Sequence, residues 1–323
     1  MSFVIKDKYG RQFRKLRISL TNQCNFSCNY CVEPGTNGNG ISNALNSSKS
    51  LTAEEIFTIV KKIHEINPIE EIKLTGGEPF LFNQLFELIS KLNALSAKRI
   101  SITTNGQFLK PHANRLYENG VKDINVSLDA VDPELFKKIT KKDLYTQVIA
   151  GIDAALVAGI SVKLNSVIMR NINHHQLVPL LNFAQSRNIR IRFLELMKMG
   201  YLYKGNRDFL FTEEEMLREI SKHFDIKKLE RKNHATAHYW VTDTGIKFGI
   251  IANESSPFCA DCDRLRLNSK GEIFGCICSI SGIDLLSTLN DNKATVNKIR
   301  LALGQKQSAK FLGSPISMKM IGG

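Results

Sequence analysis

Three cysteines lie within eight residues, Cys24, Cys28 and Cys31, with the spacing C-x3-C-x2-C. They follow an apolar run at residues 16–20, which predicts a strand that leads into a loop. Such a loop can direct three thiolates at one metal centre. A structural zinc site and a [4Fe–4S] cluster both normally take four protein ligands, so three thiolates on a cluster would leave one iron open for chemistry. Cysteines that merely fill a core rarely show this spacing.

The chain has 323 residues and seven cysteines, which are concentrated in two places. An odd number of clustered cysteines, without an apolar segment of secretory type near residue 1, favours reduced metal-binding thiols over a disulfide framework. We therefore expect a cytoplasmic protein. No apolar run approaches the roughly 20 residues that a membrane span needs, so we expect no membrane association.

The formal net charge is +13. Nucleic-acid binding would usually show a basic stripe with interleaved aromatic residues, whereas here the lysines occur as scattered pairs such as residues 61–62 and 137–138. We therefore expect no nucleic-acid partner. A few converging cations would suffice for a pocket that binds an anionic small molecule, and the positive field of the whole protein would help that molecule arrive.

Strand-like and helix-like segments alternate from residue 16 to residue 196, in six β–α units. This alternation predicts a parallel sheet with right-handed crossovers. A closed eight-unit barrel takes about 250 residues. We therefore predict an α/β fold, an open three-quarter (β/α)6 barrel in residues 1–209, with the site in the loops after the strands. A smaller C-terminal domain, residues 210–323, would cover the opening.

Three further segments are predicted from local sequence. Residues 34–50 are rich in Gly, Asn and Ser and predict a surface loop. Gly76 and Gly77 follow the second strand and would permit close approach of the backbone to a ligand. Residues 224–247 are charged and predict a less regular region.

A second cysteine group comprises Cys259, Cys262 and Cys276, with the spacing C-x2-C-x13-C, and Cys278 follows two residues later. With Cys278 included, the group would be a four-cysteine site of zinc-ribbon type. Residues two apart in a strand share a face, so the pattern leaves three and four ligands both open.

Several further segments are similar to those of known enzyme families. They are residues 17–19 (RIS), 74–79 (LTGGEP), 103–106 (TTNG), 125–129 (NVSLD), 163–165 (KLN), 190–197 (RIRFLELM), 258–259 (FC), 264–267 (RLRL) and 321–323 (IGG). With the first cysteine motif they resemble the radical S-adenosylmethionine (SAM) superfamily. Over nearly the whole chain they resemble its GTP 3′,8-cyclase family, lyases that begin molybdenum cofactor (molybdopterin) biosynthesis.

The resemblance implies two [4Fe–4S] clusters, SAM as cofactor and GTP as substrate. An external electron donor would allow SAM to yield a 5′-deoxyadenosyl radical, which removes the ribose 3′ hydrogen of GTP. The 3′ carbon then attacks guanine C8, giving (8S)-3′,8-cyclo-7,8-dihydroguanosine 5′-triphosphate. The resemblance also implies cyclic pyranopterin monophosphate synthase as the downstream enzyme, and a monomer or homodimer.

Individual roles follow from the same resemblance. Cys24, Cys28 and Cys31 would hold the SAM cluster, and Cys259, Cys262 and Cys276 a second cluster whose free iron binds guanine. The remaining assignments are Tyr30, Gly77, Ser127 and Met197 for SAM; Arg17, Lys73, Thr104, Lys163, Arg192, Arg264, Leu265 and Arg266 for GTP; and the terminal Gly322 and Gly323, which would enter the active site.

Several residues depart from the family pattern, among them Lys73 and Glu71. Lys73 stands where arginine is usual, which keeps the charge but loses the bidentate fork. Glu71 stands where a basic residue is common, which would weaken the field for a triphosphate if its side chain faced inward. Because of these departures, a related radical SAM enzyme that acts on a peptide or another nucleotide stays open. The four C-terminal cysteines and the basic charge also leave open a non-enzymatic zinc-ribbon protein that binds nucleic acid.

Overall fold

The computed structural model describes residues 5–33, 50–205 and 207–322. Within these ranges, twelve strands form one sheet. The surface loop predicted for residues 34–50 lies outside the described residues, apart from Ser50.

Six strands form the parallel part of the sheet, and they are β1 (Lys15–Ser19), β2 (Glu71–Thr75), β3 (Arg99–Thr104), β4 (Asp123–Ser127), β5 (Ser161–Ile168) and β6 (Arg190–Glu195). They lie side by side in sequence order, and each pairs in parallel with the next. The start of β1 and the end of β6 lie within one residue of the predicted limits of the alternation, residues 16 and 196. The alternation of apolar strands and amphipathic helices was therefore a sufficient signal for this part of the fold.

The connections between these strands carry six helices, which are α1 (Ala53–Ile66), α2 (Leu85–Asn93), α3 (Leu109–Glu118), α4 (Pro133–Thr140), α5 (Tyr145–Val157) and α6 (Leu177–Ser186). α1 begins at a capping box, in which the Thr52 side chain accepts a hydrogen bond from the Glu55 backbone and the Glu55 carboxylate accepts one from the Thr52 backbone. Its buried residues, which include Ile56, Ile59 and Ile63, recur at helical spacing and form the face that packs into the core.

The C-terminal part contributes three helices and six strands, which are α7 (Glu213–Ile220), α8 (Asn292–Gly304), α9 (Met318–Ile321), β7 (Ile226–Lys228), β8 (His238–Thr242), β9 (Lys247–Ile251), β10 (Arg264–Leu267), β11 (Glu272–Phe274) and β12 (Ile283–Asp284). β9 pairs in parallel with β6, and β10 pairs in parallel with β1. The sheet order is β12-β11-β10-β1-β2-β3-β4-β5-β6-β9-β8-β7, so β9 and β10 are not neighbours. The predicted open barrel is confirmed, and C-terminal strands extend both of its edges.

The prediction of a less regular region at residues 224–247 is wrong, because β7, β8 and the start of β9 lie there. Trp240 of β8 stacks on Phe248 of β9, with ring centroids 5.9 Å apart. Only a few residues form the apolar face of this hairpin. Charged residues lie between them in the sequence, so the strand pattern was not recognised. The domain boundary near residue 209 stays a prediction.

Glu195, at the end of β6, joins the barrel to the C-terminal part. Its buried carboxylate accepts hydrogen bonds from the backbone N–H groups of Glu213 (2.8 Å), Glu254 (2.8 Å) and Ser255 (2.9 Å). A buried carboxylate satisfied in this way ties the start of α7 and the loop after β9 to the carboxyl end of β6. Among the described residues, the helices are all too short or too polar to cross a membrane.

Candidate active site

A cavity of about 790 Å³ fills the open barrel, and side chains of both cysteine groups line it. Cys24 follows the carboxyl end of β1, whereas Cys262 precedes the amino end of β10. These two strands run in parallel, with Lys15 opposite Arg264. The first cysteine triad therefore lies at the carboxyl end of the strands, and the second lies towards their amino end.

The loop that carries the first triad rests on Gly76 and Gly77. The Gly77 N–H donates to the Thr21 carbonyl (2.6 Å), and a Cβ on Gly77 would lie only 2.0 Å from the Gln23 carbonyl oxygen. A Cβ on Gly76 would lie 2.6 Å from the Thr21 oxygen, and its φ of +152° also disfavours a side chain. The glycines do permit a close approach, but the backbone that approaches them is the cysteine loop itself.

Glu78, the next residue, is hydrogen-bonded to the carboxyl end of β3. Its fully buried carboxylate accepts hydrogen bonds from the Thr104 hydroxyl (2.7 Å) and the Asn105 N–H (2.8 Å). Burial raises the pKa of Glu78 to about 7, although these hydrogen bonds oppose the rise. The Thr104 side chain faces the cavity and already donates its proton to Glu78, so its oxygen is left as an acceptor.

Asp129, two residues after the end of β4, completes the wall next to the first triad. It is 4% exposed and accepts hydrogen bonds from the Tyr30 hydroxyl (2.9 Å) and the Val167 N–H (2.8 Å). Burial raises the pKa of Asp129 to about 6. Sequence reasoning did not single out Asp129, although an acidic residue at the carboxyl end of a parallel strand is a signal for a site. On the same side, Met197 lines the cavity with its sulfur in contact with the Asn253 amide (2.7 Å).

The first triad is half-buried, and its thiols are hard to ionise. Burial raises the pKa of Cys24 to about 11 and raises the pKa of Cys28 and of Cys31 as well. Thiolates in this position need a strong cationic partner, and bound iron supplies one. Three thiols converging on one cavity thus fit a cluster with three protein ligands.

The second triad differs because cations surround it. Lys306 is 2% exposed, and its ammonium lies 3.6 Å from the Cys262 sulfur, while an Arg264 Nη lies 3.7 Å from it. Burial opposes ionisation of Cys262, but Lys306 and Arg264 overcome it and lower its pKa. Hydrogen bonds from Cys278 lower the pKa of Cys276 to about 6. Burial raises the pKa of Cys259 to about 11, so only Cys262 and Cys276 are readily ionised in this triad. These two sulfurs suit a metal that binds thiolate.

In the described ranges, no three His, Cys, Asp or Glu side chains are grouped closely enough to hold a single metal ion. The ligands of a [4Fe–4S] cluster need no such grouping, because each binds a different iron. The spread of each triad is thus compatible with a cluster.

Cys278 does not face the cavity. It is 7% exposed and lies in an apolar cluster with Phe274, Phe311 and Ile321. β11 ends at Phe274, so Cys276 and Cys278 lie in a turn, and the argument that residues two apart share a face does not apply. The structure thus brings three of the four C-terminal cysteines to the cavity.

A Cys278→Ala variant should therefore retain the iron and sulfide content of the wild-type protein, whereas Cys276→Ala should lose about four irons per chain. Iron and sulfide assays on anaerobically purified variants measure this difference, and the wild-type protein is the reference for both. Equal iron loss in the two variants would contradict the three-ligand arrangement.

Cations from several strands line the middle of the cavity. Arg17 of β1 is level with Lys73 of β2, and Arg192 of β6 lies across the barrel from them. Burial and the neighbouring arginines lower the pKa of both Arg17 and Lys73 well below the usual values. So many buried cations of one sign repel one another, and a polyanion would relieve that repulsion.

Most of the predicted GTP-binding residues reach this place. Arg192 donates to the Asn125 side chain (2.6 Å), and Lys163 forms an ion pair with Asp123 (2.9 Å). Leu265 does not reach it, because its side chain is 0% exposed and lies on the opposite face of β10 from Arg264 and Arg266. Only the backbone of Leu265 can contribute.

The C-terminal tail enters the barrel beside this cation cluster. Ser19 donates a hydrogen bond to the Lys319 carbonyl (2.9 Å), and Arg266 donates to the Gly322 carbonyl. Gly322 has φ +73°, and a Cβ there would lie 3.2 Å from the Thr75 side chain. Gly322 is buried but is not among the cavity-lining residues, and Gly323 lies outside the described residues.

The predicted site residues are thus largely brought together. Those that line the cavity are Cys24, Cys28, Cys31, Cys259, Cys262, Cys276, Tyr30, Gly77, Ser127, Met197, Arg17, Lys73, Thr104, Lys163, Arg192, Arg264 and Arg266.

Comparison with known proteins agrees with this geometry. The chain matches the Radical SAM superfamily over residues 18–184 and the family described as Molybdenum Cofactor Synthesis C over residues 189–312. A GTP 3′,8-cyclase of Staphylococcus haemolyticus is 39% identical over 88% of this chain and 84% of the relative. A GTP 3′,8-cyclase of Staphylococcus epidermidis is 36% identical over 93% of this chain and 89% of the relative.

Solved structures agree on the fold. Streptococcus suis SuiB bound to its precursor peptide SuiA has a TM-score of 0.65 at 16% identity, covering 94% of this chain and 73% of that chain. At this identity the likeness concerns the fold alone. The fold, the matched domains and the similar cyclases together show that this chain belongs to the radical SAM superfamily and, within it, to the GTP 3′,8-cyclase family.

Proposed function

We propose that this protein is a GTP 3′,8-cyclase that binds SAM beside Cys24, Cys28 and Cys31 and binds GTP across the rest of the cavity. The observation that carries this proposal is the placement of two cysteine triads at opposite ends of one cavity with cations between them. Such a cavity has a place for a radical source at one end, a place for a purine at the other and a basic region for the phosphates.

When bound, a cluster with SAM supplies a 5′-deoxyadenosyl radical able to remove the 3′ hydrogen of the ribose. The chain holds that cluster through its first triad, and Tyr30, Asp129, Ser127 and Met197 form the walls around the cofactor. Cys259, Cys262 and Cys276 hold a second [4Fe–4S] cluster, and Lys306 beside Cys262 offsets part of its negative charge.

The phosphate chain of GTP is bound by Arg17, Lys73, Lys163, Arg192 and Arg264. A hydrogen bond to a charged group contributes about 1.5–3 kcal/mol, so three or four of these contacts would give firm binding. Arg266 holds the Gly322 carbonyl, which keeps the tail against the ends of β1 and β2. The tail and the buried wall exclude water from the reacting ribose.

The product, a 3′,8-cyclised dihydroguanosine triphosphate, would pass to cyclic pyranopterin monophosphate synthase, and an external donor would supply the electron. Incubation of the anaerobic protein with GTP, SAM and dithionite tests this function. We expect 5′-deoxyadenosine and a cyclised purine nucleotide to appear together. Full recovery of GTP from protein that holds both clusters would refute the proposal.

The lowered pKa of Lys73 predicts how GTP binding depends on pH. Burial and the charges of Arg17, Arg192, Arg99 and Lys163 hold its pKa well below the usual lysine value. Only the ammonium form attracts phosphate, so GTP affinity should be highest below that lowered pKa and should fall as pH rises through it.

A Lys73→Met variant should bind GTP about ten- to a hundredfold more weakly and should lose this pH dependence. Lys73→Arg is the matched control, because arginine keeps its charge, and it should keep the affinity over the same pH range. Equilibrium binding of GTP across pH measures both effects. A Lys73→Met variant with the wild-type pH profile would contradict the role of Lys73.

A further inference from the structure

Glu71 places a carboxylate among the cations of the cavity. It is the first residue of β2, where it lies between Lys15 of β1 and Arg99 of β3 in the register of the sheet. All three side chains line the cavity. Glu71 therefore does face inward, two residues before Lys73 on the same face of the strand.

The cations beside Glu71 are already paired with other carboxylates. Lys15 forms an ion pair with Asp263 (3.0 Å), and Arg99 forms one with Asp123. Among the residues that the structure describes, the Glu71 carboxylate has no ion pair and no hydrogen bond of its own. Its negative charge thus stays directed at the cavity instead of being neutralised by its neighbours.

The other two carboxylates that line the cavity are placed differently. Asp129 is bound by Tyr30 and Val167 beside the first triad, and Glu230 is exposed. Glu71 is therefore the carboxylate nearest in the sheet to the cation cluster of Arg17 and Lys73.

Residues two apart on a strand are separated by about 6.5 Å. A phosphate bound at Lys73 would thus bring the next phosphate along the strand, towards its amino end, close to Glu71. In a partly desolvated cavity, two negative charges at such a distance repel each other appreciably.

We propose that Glu71 determines the specificity of this site for the length of the phosphate chain: its carboxylate weakens the binding of the terminal phosphate, so the site gains little affinity from a third phosphate. This inference rests on the proposed function for the identity of the nucleotide, but its charge argument applies to any polyphosphate in the cavity.

The test measures equilibrium binding of GTP and GDP to anaerobically purified, cluster-loaded protein without SAM, so that no turnover occurs. The wild-type protein should bind GTP and GDP with dissociation constants that agree within about threefold. Glu71→Lys should prefer GTP by about tenfold or more, since it replaces repulsion by attraction, and Glu71→Gln should lie between the two.

Glu70 provides the matched control. Its side chain pairs with Arg14 (3.4 Å) and Lys98 (3.6 Å) and does not line the cavity, so Glu70→Lys makes the same change in net charge away from the cavity. We expect Glu70→Lys to leave the ratio of GTP to GDP affinity at the wild-type value. The unfolding temperature of each variant shows that it is folded.

Tripolyphosphate and pyrophosphate, used as probes without a base, separate this inference from the proposed function. If GTP does not bind but Glu71→Lys still favours tripolyphosphate over pyrophosphate, the inference holds and the cyclase assignment fails. If the Glu71 variants change the affinity for both members of a pair by the same factor, or leave both affinities unchanged, the inference is overturned.

Discussion

In a Cys28→Ala variant, the rate of 5′-deoxyadenosine formation from SAM should fall at least about a thousandfold. Cys28 is one of only three thiols next to the carboxyl end of β1, and no other described cysteine is available there to replace it. Two remaining ligands would not retain the cluster, so the iron content should fall by about four per chain while the second cluster stays.

Chromatography of 5′-deoxyadenosine and iron assays on the same preparation measure this effect. Cys278→Ala is the control for removal of a thiol, because Cys278 packs among apolar side chains and not in the cavity. Cleavage in Cys28→Ala within tenfold of the wild-type rate would contradict the assignment of the first triad.

A Gly77→Ala variant should be destabilised by about 3 kcal/mol and should be purified with little iron in the first site. The added Cβ would lie 2.0 Å from the Gln23 carbonyl oxygen, so either β2 or the cysteine loop must move. The Gly77 N–H would then lose its hydrogen bond to Thr21. Displacement of this loop also moves Cys24, which follows Gln23 in the chain.

Gly205→Ala is the matched control, because a Cβ there meets nothing within 4 Å in the part of the chain that the structure describes, and the backbone has φ −144°. Urea unfolding of both variants, with iron analysis, gives the comparison. Equal stability and equal iron in the two variants would show that the cysteine loop does not depend on Gly77.

The parts of the fold that were predictable from sequence are those with a local signal. The strands β1 to β6 and the capping box of α1 show as alternation and as spacing. Three cysteines at the end of β1 likewise indicate a metal site without any knowledge of the fold.

The rest depended on pairing between distant segments. The sequence does not reveal that β9 pairs with β6 or that β10 pairs with β1. The pairing of β10 with β1 places the second triad near the amino ends of the strands. The exclusion of Cys278 follows from the early end of β11. Whether Glu71 faces the cavity depends on the register of β2, and a shift of one residue would reverse its direction.

Which cations are paired with carboxylates could also be seen only in the structure. The sequence shows scattered cations, and only the folded sheet shows that Lys15 and Arg99 are paired whereas Lys73 has no carboxylate partner among the described residues. Convergence of cations on one cavity, and not the total charge, is what makes the cavity suited to a polyphosphate.

The central claim is that one cavity holds a radical source at one end and a guanosine nucleotide within its reach. GTP that carries deuterium at the ribose 3′ position tests this claim most directly. Anaerobic protein with this substrate, SAM and dithionite should transfer deuterium into 5′-deoxyadenosine, and mass spectrometry detects the added mass. Formation of unlabelled 5′-deoxyadenosine beside intact deuterated GTP would contradict the account.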